Sequence, residues 1–362
     1  MNIGIDVTQV IYGTGVSLYT KRLVEELFKL DTINRYILFG GSLRRLGELN
    51  GYINTLSGNF SKRLFPIPPT AANWLFNYAH FPKIESFIGN IDVFHTSDWT
   101  QPPSDAPKVA TVHDLVPVKF PKLTHPVIAS AHGQAFKWIK KEAKIVIAVS
   151  ESTKKDLIDL GVEKGRIRVV YEAADEIYKP QTKETVKNIM KKYKISGNYL
   201  ISVGVGARKN TERLISAYEK VRAGENLKLV FVGRVSGRQG EERGVLYLGH
   251  VPTEDLPALY SGAKALVYPS LYEGFGLPIV QAFACETPVV TSNISSMPEI
   301  ASGAAILVDP YEVDSISKGI QEALGGVKEL TKKGKIRAKD FSWGKTAKET
   351  LKVYQEAAGY SK

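Results

Sequence analysis

Short apolar runs rich in β-branched residues alternate along this chain with longer stretches whose apolar residues recur at helical spacing. The short runs at 2–7, 35–39, 93–95, 108–111 and 145–149 read as strands. Between the first two, 16–30 has the helical repeat, with Lys21, Arg22, Glu25 and Glu26 on its polar face. Ser150 is a helix N-cap, 151–160 the helix it starts, and Gly161 its stop; 168–171 is a further short strand. The segment 179–197 holds Pro180 and several lysines without a strand pattern, and reads as a linker with a helix at 183–194. The alternation then restarts, with strands at 199–203, 228–232, 245–248, 265–268 and 288–291 and helices at 211–222, 256–262 and 278–284. Strands alternating with helices predict two α/β domains, each a doubly wound parallel sheet. The expected boundaries are 1–178 with 343–362 for the first domain and 179–342 for the second. The helix at 344–357, after Phe341-Ser342-Trp343, is expected to cross back onto the first domain. A ligand between the domains would meet the carboxyl ends of both sheets.

A length of 362 residues fits two domains, and one cysteine, Cys285, excludes a disulfide framework and a zinc site built on several thiolates. No apolar run approaches the ~20 residues of a membrane-spanning helix, and Met1 leads straight into a strand rather than a secretory leader. A cytoplasmic location is therefore expected, with the inner face of the cytoplasmic membrane as a candidate. The formal net charge of +11 is spread over both halves without a long like-charge block. It fits a solvated basic surface, a polyanionic small ligand, or peripheral contact with an anionic membrane. No nucleic-acid-binding motif accompanies it, so no nucleic-acid partner is expected.

Two loops carry candidate chemistry. Gly204-Val205-Gly206-Ala207-Arg208-Lys209-Asn210 joins a strand to a helix, which points backbone N–H groups and a helix N-terminus at an anion, with Arg208 and Lys209 as added cations. A tight turn with two surface cations is the plainer reading. Glu273-Gly274-Phe275-Gly276-Leu277-Pro278-Ile279-Val280-Gln281 follows the strand at 265–268. Its two glycines let backbone approach a ligand, and Pro278 suits a first helical turn. Glu273, near the positive end of that helix, stays ionised, and Gln281 lies one turn inside. Here the plainer reading is a helix start with a capping carboxylate.

His113, at a strand end in Thr111-Val112-His113-Asp114-Leu115, is a third candidate, with Asp114 either orienting it or capping the next turn. His95 is a weaker one, and the other four histidines read as structural. The aromatic, basic and proline-broken stretch 60–88, with Trp74 and Tyr78, reads as an acceptor platform, a membrane-facing patch or a loop-and-helix cover of the core. Lys137-Trp138-Ile139-Lys140-Lys141 reads as a helix face, solvated or membrane-facing.

Taken in order from residue 1 to about 357, these strings resemble the retaining, nucleotide-sugar-dependent glycosyltransferases of family 4, with the two-domain fold called GT-B. The segment 273–281 resembles that family's pair of glutamates seven residues apart, and 204–210 its phosphate-binding loop. Gly13-Thr14-Gly15-Val16, Val149-Ser150-Glu151-Ser152 and Phe341-Ser342-Trp343 resemble it too. The resemblance implies that Arg208 and Lys209 bind the donor diphosphate and that Glu273 bonds donor-sugar hydroxyls. It further implies that the backbone N–H groups around Gly274, Phe275, Gly276 and Leu277 hold sugar and phosphate. Gly15 would approach the phosphate from the other domain, and His113 would sit at the reacting centre with Asp114 beside it. Gln281 stands where the family has its second glutamate, a ribose contact; it keeps an acceptor oxygen and loses the charge.

The implied activity is hexosyl transfer, mannose- or glucose-type, from GDP-mannose or a UDP-sugar to a glycan, lipid-linked or small-molecule acceptor in cell-surface polysaccharide or glycolipid synthesis. No cofactor is implied. No metal is implied either: no Asp-x-Asp string occurs, and GT-B enzymes use protein cations in its place. The rival readings are a GT-B epimerase or phosphorylase and, because of Gln281, a non-catalytic module that binds nucleotide sugar or anionic lipid.

Overall fold

The computed structural model describes residues 1–222, 226–233 and 240–360; residues 361 and 362, the end of the expected first-domain tail, lie outside them. The chain divides into two units, Met1–Glu172 with Trp343–Lys362, and Ala173–Ser342. The first boundary thus falls six residues before the expected 178/179. Val170 still donates to the Ala148 carbonyl of the first sheet at 3.0 Å, whereas the Tyr178 ring already packs edge-on against Tyr260 of the second unit.

In the first unit β1 (Asn2–Asp6), β2 (Arg35–Gly41), β3 (Phe60–Phe65), β4 (Val93–Thr96), β5 (Lys108–Val112), β6 (Ala143–Ala148) and β7 (Ile167–Val169) form one parallel sheet. Its order is β3-β2-β1-β4-β5-β6-β7. The central strands are buried almost throughout, as a sheet covered by helices on both faces requires. Within 60–88 the sequence reading of loop and helix holds for the short helical segments at 69–79 and 85–88, and β3 corrects it at 60–65. It is an edge strand, and Lys62 and Arg63 point into water there, so its hydrophobic signal is diluted by the charges that protect an edge. Thr14 caps the helix Gly15–Leu30 through a reciprocal bond with Ser17. The helix Pro126–Glu142 contains the whole 137–141 segment.

The final helix, Trp343–Ala357, belongs to this unit and packs along Gly15–Leu30. The buried His95 imidazole bonds the Tyr354 hydroxyl at 2.6 Å, Arg168 pairs with Glu356, and the Thr346 hydroxyl donates to the Tyr171 carbonyl at 2.7 Å.

The second unit repeats the plan. β8 (Asn198–Val203), β9 (Leu227–Val232), β10 (Gly240–Glu242), β11 (Val245–Tyr247), β12 (Ala265–Tyr268), β13 (Val289–Ser292) and β14 (Ile306–Val308) run in the order β10-β11-β9-β8-β12-β13-β14. All pairs are parallel except β10 with β11. In each sheet the winding direction reverses beside its first strand in sequence, between β1 and β4 and between β8 and β12. Ligands of open α/β sheets bind outside the carboxyl ends of strands at such a reversal. No helix among the described residues is long and apolar enough to cross a membrane.

Candidate functional site

At the reversal point of the second sheet, the loop after β8 and the loop after β12 meet. Asn210 ties them: its backbone adopts φ +58°, a left-handed conformation that asparagine tolerates, and its side-chain amide donates to the Pro269 and Pro310 carbonyls. The Leu271 N–H donates to the Arg208 carbonyl at 2.9 Å. Gly204, at φ +83°, lets the Lys209 stem fold back along the backbone: a Cβ there would stand 2.8 Å from Lys209 Cε.

Arg208 and Lys209 converge on one carboxylate. Arg208 Nη1 donates to Glu273 Oε2 at 2.7 Å and to the Tyr272 carbonyl at 3.0 Å; Lys209 Nζ donates to Glu273 Oε1 at 2.6 Å. Lys209 also bonds the Tyr268 hydroxyl, with its ammonium 4.6 Å from that ring's centre. The Glu273 side chain is only 10 % exposed. Burial alone would raise its carboxyl, but Lys209 and Arg208 outweigh burial and hold it at about 2, so it is ionised at any ordinary pH. The Ser295 hydroxyl sits between the Glu273 N–H, from which it accepts at 3.1 Å, and the Glu273 carbonyl, to which it donates at 2.8 Å. Ser296 donates to the Glu273 and Phe275 carbonyls.

Compared with an apolar packing of the same volume, a buried charge cluster of this kind adds little net stability, because desolvation offsets attraction, although removing one partner is costly. Gathered at a strand-end loop with a strongly shifted carboxyl, it is the candidate site of the second unit.

Gly274, Phe275 and Gly276 form the turn into the helix Leu277–Ala284; Gly276 caps it at φ +103°, and Phe275 is buried against Phe341. Gln281 is buried in that helix and accepts from the Tyr260 hydroxyl at 3.1 Å. Its amide is therefore oriented, and the N–H donors are what it presents elsewhere.

In the first unit, His113 sits at the end of β5. Its Nδ1 lies 2.8 Å from Glu172 Oε1, its N–H donates to Asp98 Oδ2 at 3.1 Å, and the Tyr19 ring meets it edge-on at 4.6 Å. A carboxylate partner puts the proton on Nδ1. Nε2 is buried without a hydrogen-bond partner among the described residues. Burial pulls the imidazole's pKa down, but the Glu172 bond and the charges of Asp98, Glu172 and Asp114 raise it above the ordinary value. The carboxylate on the ring is thus Glu172, while Asp114 accepts the Val116 N–H at 3.0 Å and caps the next turn.

A testable consequence follows from the pairing. By NMR, the His113 ring should titrate above 6.5 in the native chain and lower in Glu172→Gln. The stability gained from the charged ring is complete below 6.5 and fades as pH rises through the folded value. An unchanged titration in the variant would refute the pairing.

Gly15 is the first residue of the helix Gly15–Leu30. Trp74 is exposed, and Tyr78 bonds Ser130 at 2.9 Å through its hydroxyl. His95, bridging Tyr354 and Thr111, is held neutral: burial, with His113 adding to it, pushes it to about 3. Sequence reading missed Asp98, Glu172, Tyr268, Ser295 and Ser296. Only Tyr268 carried a signal, as the last residue of a buried strand next to the Glu273 loop.

Comparison with known proteins adds the following. Residues 185–340 match the family model "Glycosyl transferases group 1" and residues 13–176 match "Glycosyltransferase Family 4". O-antigen chain mannosyltransferase B of Escherichia coli is 34% identical over 233 residues, 59% of this chain and 61% of that protein. The serotype-specific mannosyltransferase WbdA of Escherichia coli is 25% identical over 78% of this chain and 39% of its own length. The chain therefore spans less than two thirds of the length of these relatives. Among solved structures, sucrose-phosphate synthase from Thermosynechococcus elongatus superposes with a TM-score of 0.76 over 100% of both chains at 19% identity, a likeness of fold.

Proposed function

The chain belongs to the glycosyl transferases of group 1 and family 4 and has their GT-B fold, and from that premise we propose that it moves a hexose from a nucleotide-sugar donor to an acceptor hydroxyl with retention of configuration. The acceptor class in this reading is a glycan, lipid-linked or small-molecule hydroxyl in cell-surface polysaccharide or glycolipid synthesis. Relatives named as O-antigen and serotype-specific mannosyltransferases favour mannose, with GDP-mannose as first donor candidate beside UDP-sugars. The observation that carries the reading is the grip of Arg208 and Lys209 on Glu273 at the sheet's reversal point.

A donor diphosphate competes with Glu273 for the two cations, and Glu273, relieved of them in part, accepts hydrogen bonds from sugar hydroxyls. As the bond from the anomeric carbon to phosphate breaks, charge grows on the leaving oxygen, and Arg208 and Lys209 stabilise it from fixed positions. The acceptor oxygen bonds the anomeric carbon on the face the phosphate leaves, and its proton passes to the leaving phosphate oxygen. Protein cations supply the charge, so no metal is needed in this scheme. Within the second unit, the N–H groups of Phe275, Gly276 and Leu277 and the Gln281 amide serve sugar, phosphate and ribose in this scheme. The net charge of +11 supports peripheral contact with an anionic membrane.

A thermal-shift panel of nucleoside diphosphates and nucleotide sugars tests the donor side. GDP, UDP or a sugar derivative of one is expected to raise the melting temperature, since a ligand at 100 times its Kd adds about 2.7 kcal/mol to the native state. A panel in which no nucleoside diphosphate shifts melting removes the proposal.

A further inference from the structure

We propose that the first unit contains a preformed site for the hydrocarbon chain of a lipid-linked acceptor, an inference that rests on the transferase reading above. A cavity of about 450 Å³ opens at the carboxyl ends of β1 and β2, within the size range of small-molecule sites. Phe39, Ile67, Phe76, Trp99, Ile128 and Ala131 supply its apolar wall.

Four of the polar side chains around it already hold bonds within the protein. Thr8 Oγ1 accepts the Gly41 N–H at 3.0 Å, and Asn73 Oδ1 accepts the Asn77 amide at 2.8 Å. The Thr100 hydroxyl donates to Asp6 at 3.3 Å, and the Thr14 hydroxyl is engaged with Ser17 at 3.2 Å. A buried sugar, or a peptide backbone, brings hydroxyl or amide groups that each need a partner. A hydrocarbon chain needs none, and this mostly apolar wall suits it best of those three.

The walls are fixed before any ligand arrives. The Asn77 side chain donates to the Trp99 carbonyl at 2.8 Å and accepts the Gln101 N–H at 2.9 Å. Trp138 Nε1 donates to the Asn77 carbonyl at 2.8 Å, and Tyr78 ties the same turn to Ser130. Preorganisation of this kind lowers the entropy cost of binding. Tyr12 and Val127, both lining the cavity, are 39 % and 68 % exposed and form an apolar rim. Thr14 lines it too and immediately precedes Gly15, so a chain seated here leaves its polar head beside the Gly13–Gly15 loop.

Trp99 provides the readout. Its emission, taken as the difference between the native chain and Trp99→Phe, is followed on titration with methyl α-mannopyranoside and with n-decyl α-mannopyranoside below its micelle concentration. The decyl compound is expected to bind at least ~10-fold tighter, from burial of several methylenes. Ile128→Asp places a charge in the wall, yet it stands in the first turn of the helix Pro126–Glu142, where a carboxylate is favourable, so the fold is kept and the decyl advantage is lost. Equal binding of the two glycosides in the native chain, or a decyl advantage that survives Ile128→Asp, overturns the proposal. Nucleotide stabilisation alongside equal glycoside binding would strike out the chain site and spare the transferase reading. A decyl advantage without any nucleotide stabilisation would strike out the acceptor role, and the transferase reading with it.

Discussion

Lys209→Ala lowers turnover by ~10²-fold or more, and Arg208→Ala does the same, if the two cations stabilise charge on a departing diphosphate as other preorganised groups do. Each is anchored for such work. Lys209 is only 16 % exposed, its stem folded over Gly204 and its ammonium held by Glu273 and Tyr268. Arg208 is held at a carboxylate oxygen and a backbone carbonyl, so its guanidinium plane is fixed. Steady-state kinetics separate the roles. Loss of an interaction made only in the transition state lowers kcat and kcat/KM together, whereas loss of plain donor binding raises KM alone. Lys209→Arg does not restore the native rate, because a planar fork cannot reproduce a point charge held against the Tyr268 ring. Normal turnover in both alanine variants ends the assignment of this loop.

The second large effect concerns acid. Glu273 has its carboxyl held at about 2 against an ordinary 4.5, so the folded state prefers the ionised form. That preference stabilises the second unit fully above 4.5 and disappears as pH falls through about 2. Its size is on the order of 3 kcal/mol. Glu273→Gln keeps the side chain's volume and removes the charge, leaving Arg208 and Lys209 without their counter-ion. At neutral pH the variant is therefore less stable by about 3–5 kcal/mol. Below pH 4.5 the native chain loses this advantage and the variant does not. Urea midpoints measured on both proteins from pH 7 down to 3 read the difference, and parallel curves would refute it.

Much of this was legible in the sequence. The central strands hold apolar stretches such as Val109–Ala110 and Ile145–Ala148, buried on both faces, so their signal survives reading without a structure. The Arg208, Lys209 and Glu273 loops announced themselves because each joins a legible strand to a legible helix. What escaped notice had weaker local causes. Phe60–Phe65 carries Lys62 and Arg63 on an exposed edge, and Gly240–Glu242 is exposed throughout, so neither shows strand periodicity. Ile306–Val308 is too short to show any. Asp98 and Glu172 reach His113 only through the sheet's topology, Glu172 from 59 residues away, and no window of sequence contains that distance.

The interleaved path of the chain has a consequence for its biosynthesis. Residues 173–342 are translated, and can fold, before the first unit has all of its parts. Until Trp343–Ala357 leaves the ribosome, the apolar flank of Gly15–Leu30 has no cover and the His95 imidazole lacks the Tyr354 hydroxyl. The unit that begins at the amino terminus is thus the last to mature, and a nascent chain stalled near residue 342 would present a complete sheet whose last covering helix is missing to whatever holdase is at hand.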